Sequence, residues 1–404
     1  MQAIRKWEFP TVTLLLSLVS LSIGWQIHSA PIVAGGVIGL CWMMASLAAG
    51  GWVLPSRSSC SHGVAAPAIL PHPPCRRKAI AAGDTAALVE EMLAQGRFAL
   101  LLRPQIAANL DANYFRQALE ALQENMALVP DGEIMLGNGE AAGERTVRVQ
   151  RFFLDRYPVS NRQYYEFVAA GGYEQMALWE PSILPALLDF VDRSGQPGPA
   201  PWRNGCYLPG VENHPVVGIN WYEACACARW LGKRLPSDIE WMKAGSWPVP
   251  VSPGECLQRK YPWGDVMDRH RANLWGSGPD RIVSVGQFAE GVSVGGVYQL
   301  IGNVWEWTSG NFRGDGHSTG ELVLPSPLKS ICGGAFDTYF DNQATCQFQS
   351  GDYPLRRRHN IGFRCAVGVC DLQLVGPTPA AGPAVAQEQP AAAEPLATVE
   401  EVCT

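Results

Sequence analysis

The chain has little of what metal-centre and nucleic-acid-binding proteins display. Its 12 cysteines include no CxxC pair, no CxxCH haem site and no His/Cys cluster at zinc spacing, so the strong sequence signals for a bound metal are missing. Only 17% of the residues are charged and the net charge is -6, without a basic stripe. A nucleic-acid surface is therefore not expected. The cysteines follow no repeat, and buried or free thiols are expected rather than a disulfide framework. Cys225 and Cys227 stand two apart on an expected helix, where they point to different faces.

What is present begins with two apolar runs that contain no charged residue. Residues 10–26 form a run of 17 and residues 32–54 a run of 23, the second long enough to span a bilayer and the first at the short end. Trp7, Trp25 and Trp52 lie near their ends, as interfacial anchors do. The short link His28-Ser29-Ala30-Pro31 makes the pair a helical hairpin, and Pro31 argues against signal-peptide cleavage after Ala30. Positive charge lies outside the link, at Arg5-Lys6 before it and at Arg57, Arg76, Arg77 and Lys78 after it. The positive-inside rule then places the chain in the inner (cytoplasmic) membrane with its main domain facing the cytoplasm, where thiols stay reduced.

The rest divides by composition. Residues 1–54 form the membrane hairpin (two transmembrane helices), 55–82 an irregular tether and 83–125 a helical segment. Residues 126–371 form the main domain, and 372–404 an Ala/Pro-rich tail too poor in apolar surface to order itself. Asp84-Thr85 caps a helix that runs to Gln95 and stops at Gly96, and helical spacing marks a second over about 112–124. From Met126 the pattern turns to strand, turn, strand up to Gly137, followed by one strand over Arg148–Leu154. Helices are expected after the caps Ser160 and Ser237 and from Trp221 to Leu231. Ten of the 14 tryptophans fall between Trp179 and Trp307, so large rings are expected to pack among loops there. The basic run Arg356-Arg357-Arg358-His359 is expected as a solvated loop, with an acidic partner as the alternative.

Several motifs occur in order: Tyr157-Pro158-Val159-Ser160-Asn161, His214-Pro215-Val216-Val217-Gly218-Ile219-Asn220-Trp221, Gly232-Lys233-Arg234-Leu235-Pro236-Ser237, and Tyr261-Pro262-Trp263-Gly264-Asp265. Gly302-Asn303-Val304-Trp305-Glu306-Trp307, Gly333-Gly334-Ala335-Phe336 and Gly362-Phe363-Arg364-Cys365-Ala366 follow. Together they resemble the formylglycine-generating enzyme, or sulfatase-modifying factor, family, as a divergent bacterial-type member. The resemblance implies an α+β domain of the C-type-lectin-like kind with few regular elements. It also implies that the carbonyls of Gly302 and Val304 and the carboxylate of Glu306 help cage a structural calcium, with Gln299 where an Asn or Asp usually completes the set. The plainer reading of Glu306 is a buried carboxylate satisfied by backbone N–H groups or by an arginine such as Arg364. A second calcium loop, starting at Asn273-Leu274, is not expected because Gly276-Ser277-Gly278 is short.

The family's oxidases use two thiols that hold Cu(I) soon after the Gly-Gly step. In this chain the groove positions read Ala335, Thr338 and Gln343, so copper is not expected. Cys332 and Cys346 are the candidates for a relocated catalytic pair, with structural thiols as the plainer reading. The related iron enzymes need an HxxxHxE cluster that the seven histidines do not form. His214 is expected as a packed loop residue. Three functions stay open: a catalytically degenerate module (a pseudoenzyme) that binds a protein or peptide partner, a protein-modifying oxidase generating formylglycine or a related product, and a structural subunit of a membrane complex.

Overall fold

Four helices come first among the described residues: α1 Thr85–Ala94, α2 Phe98–Leu101, α3 Pro104–Ala107 and α4 Ala112–Asn125. The Asp84 side chain accepts the Ala87 N–H at 3.0 Å, and Gly96 adopts a left-handed φ of 74° just after the helix end. Periodicity cannot reveal α2 and α3, because each is a single turn. These helices bury Val89, Phe98, Leu101, Leu102, Phe115 and Leu122 against Met126, Phe153, Val367 and Leu372. Residues 84–125 therefore share a core with the main domain. The domain also runs past 371: Leu372 is buried, and the Gln373 N–H donates to the Leu102 carbonyl at 2.8 Å.

The computed structural model describes residues 84–137, 145–252, 255–312 and 327–376, all within the unit that starts at Cys75. The expected hairpin, the tether and residues 377–404 of the tail lie outside the described residues. Among the described residues no helix is long and apolar enough to cross a membrane.

Three later helices start on reciprocal caps, in which a side chain accepts the N–H three residues on and that residue's side chain returns to the cap N–H. They are α5 Asn161–Ala169 (Ser160 with Gln163), α6 Trp221–Trp230 (Asn220 with Glu223) and α7 Asp238–Ser246 (Ser237 with Glu240). Gly232 ends the stretch after α6 at φ 75°, and a Cβ there would lie 2.7 Å from the Leu100 backbone. Glycine at this position lets the N-terminal helices dock.

Strands β1 Met126–Val129 and β2 Gly132–Leu136 follow one another but do not pair. β2 pairs with β3 Arg145–Val149, and β1 pairs with β4 Phe152–Asp155. The single strand expected over Arg148–Leu154 is thus two strands that change sheet at Gln150-Arg151. All four residues of β4 are buried, because helices cover one face and the domain core the other, so its alternation is lost. β5 Val249–Ser252 and β6 Glu255–Leu257 form a small hairpin. β7 Trp305–Asn311, β8 Lys329–Cys332, β9 Gln349–Asp352 and β10 Ile361–Phe363 make the larger sheet in the order β10-β7-β8-β9. β11 Ala366–Gly368 completes the β1-β4-β11 sheet. Helices and short strands joined by long ordered loops give the α+β class expected from the sequence.

Rings pin those loops. Tyr164, Phe167, Trp202, Trp230, Trp307 and Phe363 share one cluster, and Tyr164 meets Trp202 edge-on at 6.0 Å. Inside it runs a hydrogen-bond chain from Tyr164 to Tyr173 (3.0 Å) to Glu223 (2.7 Å). Arg357 closes that chain at 2.8 Å from Glu223 and also donates to the Val191 and Gly198 carbonyls. The basic run is therefore not wholly a solvated loop. Arg357 turns inward onto Glu223 and two carbonyls, and its guanidinium works against the burial that pushes the Glu223 carboxyl pKa up.

Candidate functional site

The Gly302–Trp307 motif places its parts by close backbone approach. A Cβ on Gly302 (φ 82°) would meet the Asn273 carbonyl oxygen at 2.6 Å, and one on Gly333 (φ 98°) would meet that of Leu300 at 2.5 Å. The Gly302 N–H donates to the Gly333 carbonyl at 2.9 Å, which joins the two motifs. The chain then enters β7, where Glu306 turns into the core opposite Cys332 of β8.

Glu306 is 1% exposed and Arg364 is 0% exposed. Arg364 grips the carboxylate with both forks, Nη2 on Oε1 at 2.6 Å and Nε on Oε2 at 2.7 Å. Trp241 Nε1 donates to Oε2 at 2.8 Å. The remaining guanidinium N–H groups reach the carbonyls of Asp155 at 3.0 Å, Arg156 at 3.3 Å and Tyr298 at 2.7 Å. The buried Arg364–Glu306 pair thus ties β4, α7, β7 and the loop before Gly302 into a unit.

This bonding does not fit calcium. The Gly302 carbonyl accepts the Val304 N–H, and Gln299 donates to the Ser284 and Gln287 carbonyls while its oxygen takes the Asn303 amide. A divalent ion beside Glu306 would share one carboxylate with a buried guanidinium.

Nor do the candidate thiols form a copper site. Cys332 and Cys346 are both 0% exposed. Burial pushes the Cys332 thiol pKa well up, with Asp238, Glu306 and Cys346 adding to it, and burial alone pushes Cys346 up. Soft metals bind the thiolate, and this setting opposes its formation. Cys346 packs so close to α7 that a Cβ on Gly245 would lie 2.9 Å from its sulfur. Thr338 is buried and its Oγ1 accepts the Ala335 N–H at 2.8 Å, while Gln343 ends a short 3-10 turn. Ala335 is fully buried.

The neighbouring concave surface opens at Phe336. A cavity of about 410 Å³ lies between Phe336, Trp202, Tyr207, Leu208, His214 and Arg281. Trp202 is fixed at its base by Nε1 donating to Asn161 Oδ1 at 3.0 Å. His359 meets the Phe336 ring edge-on at 6.1 Å. Burial pulls the His214 imidazole pKa down, and its Nδ1 has no protein partner. Ala335, Thr338 and Gln343 do not line this cavity. Sequence reasoning singled out none of Trp202, Tyr207 or Arg281; the tryptophan-rich stretch was their one signal. On the other side of Thr338, the Tyr339 and Phe340 rings stand exposed and edge-on at 5.1 Å.

Comparison with known proteins agrees with this architecture. The chain is 31% identical over 304 residues to a formylglycine-generating enzyme of Thermomonospora curvata, across 64% of this chain and 98% of that protein. It is 33% identical over 268 residues to a hercynine oxygenase of Mycolicibacterium smegmatis, across 59% of this chain and 60% of that protein. It is 30% identical over 261 residues to the serine/threonine-protein kinase Pkn1 of Chlamydia trachomatis, of which it spans only 39%. Residues 112–369 match the family described as sulfatase-modifying factor enzyme 1-like domain, which is more than half of the chain, and the protein belongs to that family.

Proposed function

We propose that this is a membrane-anchored binding module that holds a protein or peptide segment in the cavity beside Phe336 and does not run the copper oxidation of its relatives. The observation that carries the reading is a pairing of losses and gains around one loop. Thr338 and Gln343 stand at the thiol positions, and the remaining sulfurs, Cys332 and Cys346, are sealed in the core. Phe336, two residues before Thr338, lines an open cavity walled by rings, with one exposed guanidinium, Arg281, at its wall. Such a surface suits a short extended segment with one apolar anchor and an acidic neighbour. The anchor is assigned to residues 10–26 and 32–54, with the domain on the cytoplasmic side.

The test is peptide selection from a random display library on the purified full chain in detergent. Selected peptides are expected to lose at least tenfold in affinity against Tyr207→Ala or Arg281→Glu. Peptides whose binding ignores both substitutions would refute the cavity as the site. The second reading, a protein-modifying oxidase, is favoured by the near-complete coverage of the Thermomonospora curvata enzyme. It requires Cu(I)-dependent oxygen uptake with a cysteine peptide, which the binding reading expects to be absent.

A further inference from the structure

We infer that the natural occupant of the cavity beside Phe336, in the absence of a partner, is this chain's own segment Gln387-Glu388-Gln389-Pro390-Ala391-Ala392-Ala393-Glu394-Pro395. The inference rests on the reading of that cavity as a peptide site and names its resident ligand. A partner then binds by displacing the tail.

The chemistry of the two surfaces matches. Trp202, Tyr207 and Phe336, together with Pro201 and Pro215, line the cavity. Aromatic walls of this kind hold proline-containing segments, because a polyproline II strand has already lost much of its conformational freedom. Residues 377–404 contain Pro377, Pro379, Pro383, Pro390 and Pro395. Their charged residues are Glu388, Glu394, Glu400 and Glu401, with no Lys or Arg. At the cavity the exposed Arg281 guanidinium has no carboxylate partner among the described residues, although Asp280 lies next to it in the chain. A glutamate flanking a docked proline supplies that partner.

The segment also reaches. The described chain ends at Gly376, where a Cβ would sit 3.7 Å from the Phe115 ring on α4. Phe115 and Asn125 lie on the same helix, roughly 15 Å apart at the usual rise. Asn125 lines a second cavity together with Arg162 and Gln163 at the start of α5. The residue just before them, Asn161, lines the cavity beside Phe336. The tail therefore has to cover the length of α4 and then about one helix diameter, roughly 10 Å. The twelve residues from Gly376 to Glu388 span about 37 Å as polyproline II, which covers that path with slack. Tethering gives the segment an effective concentration on the order of 1 mM, so an intrinsic Kd of about 100 µM is enough to keep the cavity filled in roughly ten molecules of eleven.

The experiment uses the full chain with a protease site inserted after Gly376, folded first, then cut and freed of its tail. Fluorescence anisotropy follows a labelled peptide covering residues 385–397. The peptide is expected to bind the cut protein about tenfold more tightly than the uncut protein, and to lose at least tenfold against cut Arg281→Glu. Equal affinity for cut and uncut protein, no binding to the cut protein, or indifference to Arg281→Glu would each overturn the inference. If library-selected peptides still bind through Tyr207 and Arg281 while the tail peptide does not, the tail is not the occupant and the peptide-site reading stands. If no peptide binds, both fall.

Discussion

Replacing Arg364 by Met tests the centre of the domain. The substitution keeps a long side chain but removes both forks on Glu306 and the donors to the Asp155, Arg156 and Tyr298 carbonyls. Glu306 would keep only Trp241 as a charge-stabilising partner. Breaking a buried pair by deleting one member costs about 3–5 kcal/mol, because the remaining charge stays buried. Against a total stability of about 5–15 kcal/mol, that is about a fifth or more of the whole. The carbonyls left unpaired add to the loss, though not as a simple total. The assay is urea unfolding followed by tryptophan emission, for which the 14 tryptophans provide a strong signal. Glu306→Gln is expected to cost a similar amount, since it leaves a guanidinium unpaired. Arg364→Met combined with Glu306→Leu is expected to recover much of the loss, because apolar replacement of a whole buried pair is close to neutral. The same titration in excess EDTA and in calcium is expected to give one midpoint for the wild type. A cost below about 1 kcal/mol for Arg364→Met, or a wild-type midpoint that falls with EDTA, would refute the assignment of the carboxylate to arginine.

Other consequences follow from burial and charge. Of Cys206, Cys225, Cys227, Cys332, Cys346, Cys365 and Cys370, only exposed Cys370 is expected to react with iodoacetamide at pH 8 in the folded protein, read by mass spectrometry. The Cys225 thiol is pushed up to about 12 by burial, and burial also pushes Cys227, Cys332, Cys346 and Cys365 up. Rapid labelling of Cys332 or Cys346 would contradict the sealed-core description. Phe98→Ala is expected to cost about 3–5 kcal/mol, because Phe98 is buried and carries the Lys233 ammonium 4.5 Å above its ring. Limited proteolysis should then cut residues 84–125 first, and unchanged resistance would count against the shared core. Burial works to raise the Glu240 pKa, but the paired bonds from Arg234, at 2.7 Å each, outweigh it and hold the carboxyl below its ordinary value. Its contribution to stability is therefore complete above the ordinary glutamate range and fades as pH falls through the lowered value. Glu240→Gln should flatten that part of the acid-unfolding curve; an unchanged curve would show that the pair carries no pH dependence.

The sequence was legible where structure is decided within a few residues. Ser160 with Gln163, Asn220 with Glu223 and Ser237 with Glu240 set three helix starts by contacts three positions apart. Gly302 and Gly333 stand where the backbone crowds a neighbour, and no larger residue fits. The ordered series of such motifs was enough to point to the family. Legibility failed where partners come from far along the chain. The division of Arg148–Leu154 into two strands depends on β1, β2 and β11 claiming different halves. Arg357 looked like part of a solvated basic run until Glu223, 134 residues away, drew it inward. The cavity escaped notice because its walls come from five separate stretches, and the motifs within three of them do not show that they meet around one space.

By itself, then, the order of residues determined the fold class and the starts of the capped helices α1, α5, α6 and α7. Whether Glu306 answers to calcium or to arginine was left to the tertiary structure, which brings Arg364 to it from 58 positions along the chain. The same holds for Cys332 and Cys346, whose chemistry depends on being closed off from water. Hydrogen bonds across one helical turn can be read from spacing, whereas desolvation and long-range ion pairing exist only once distant segments have packed together.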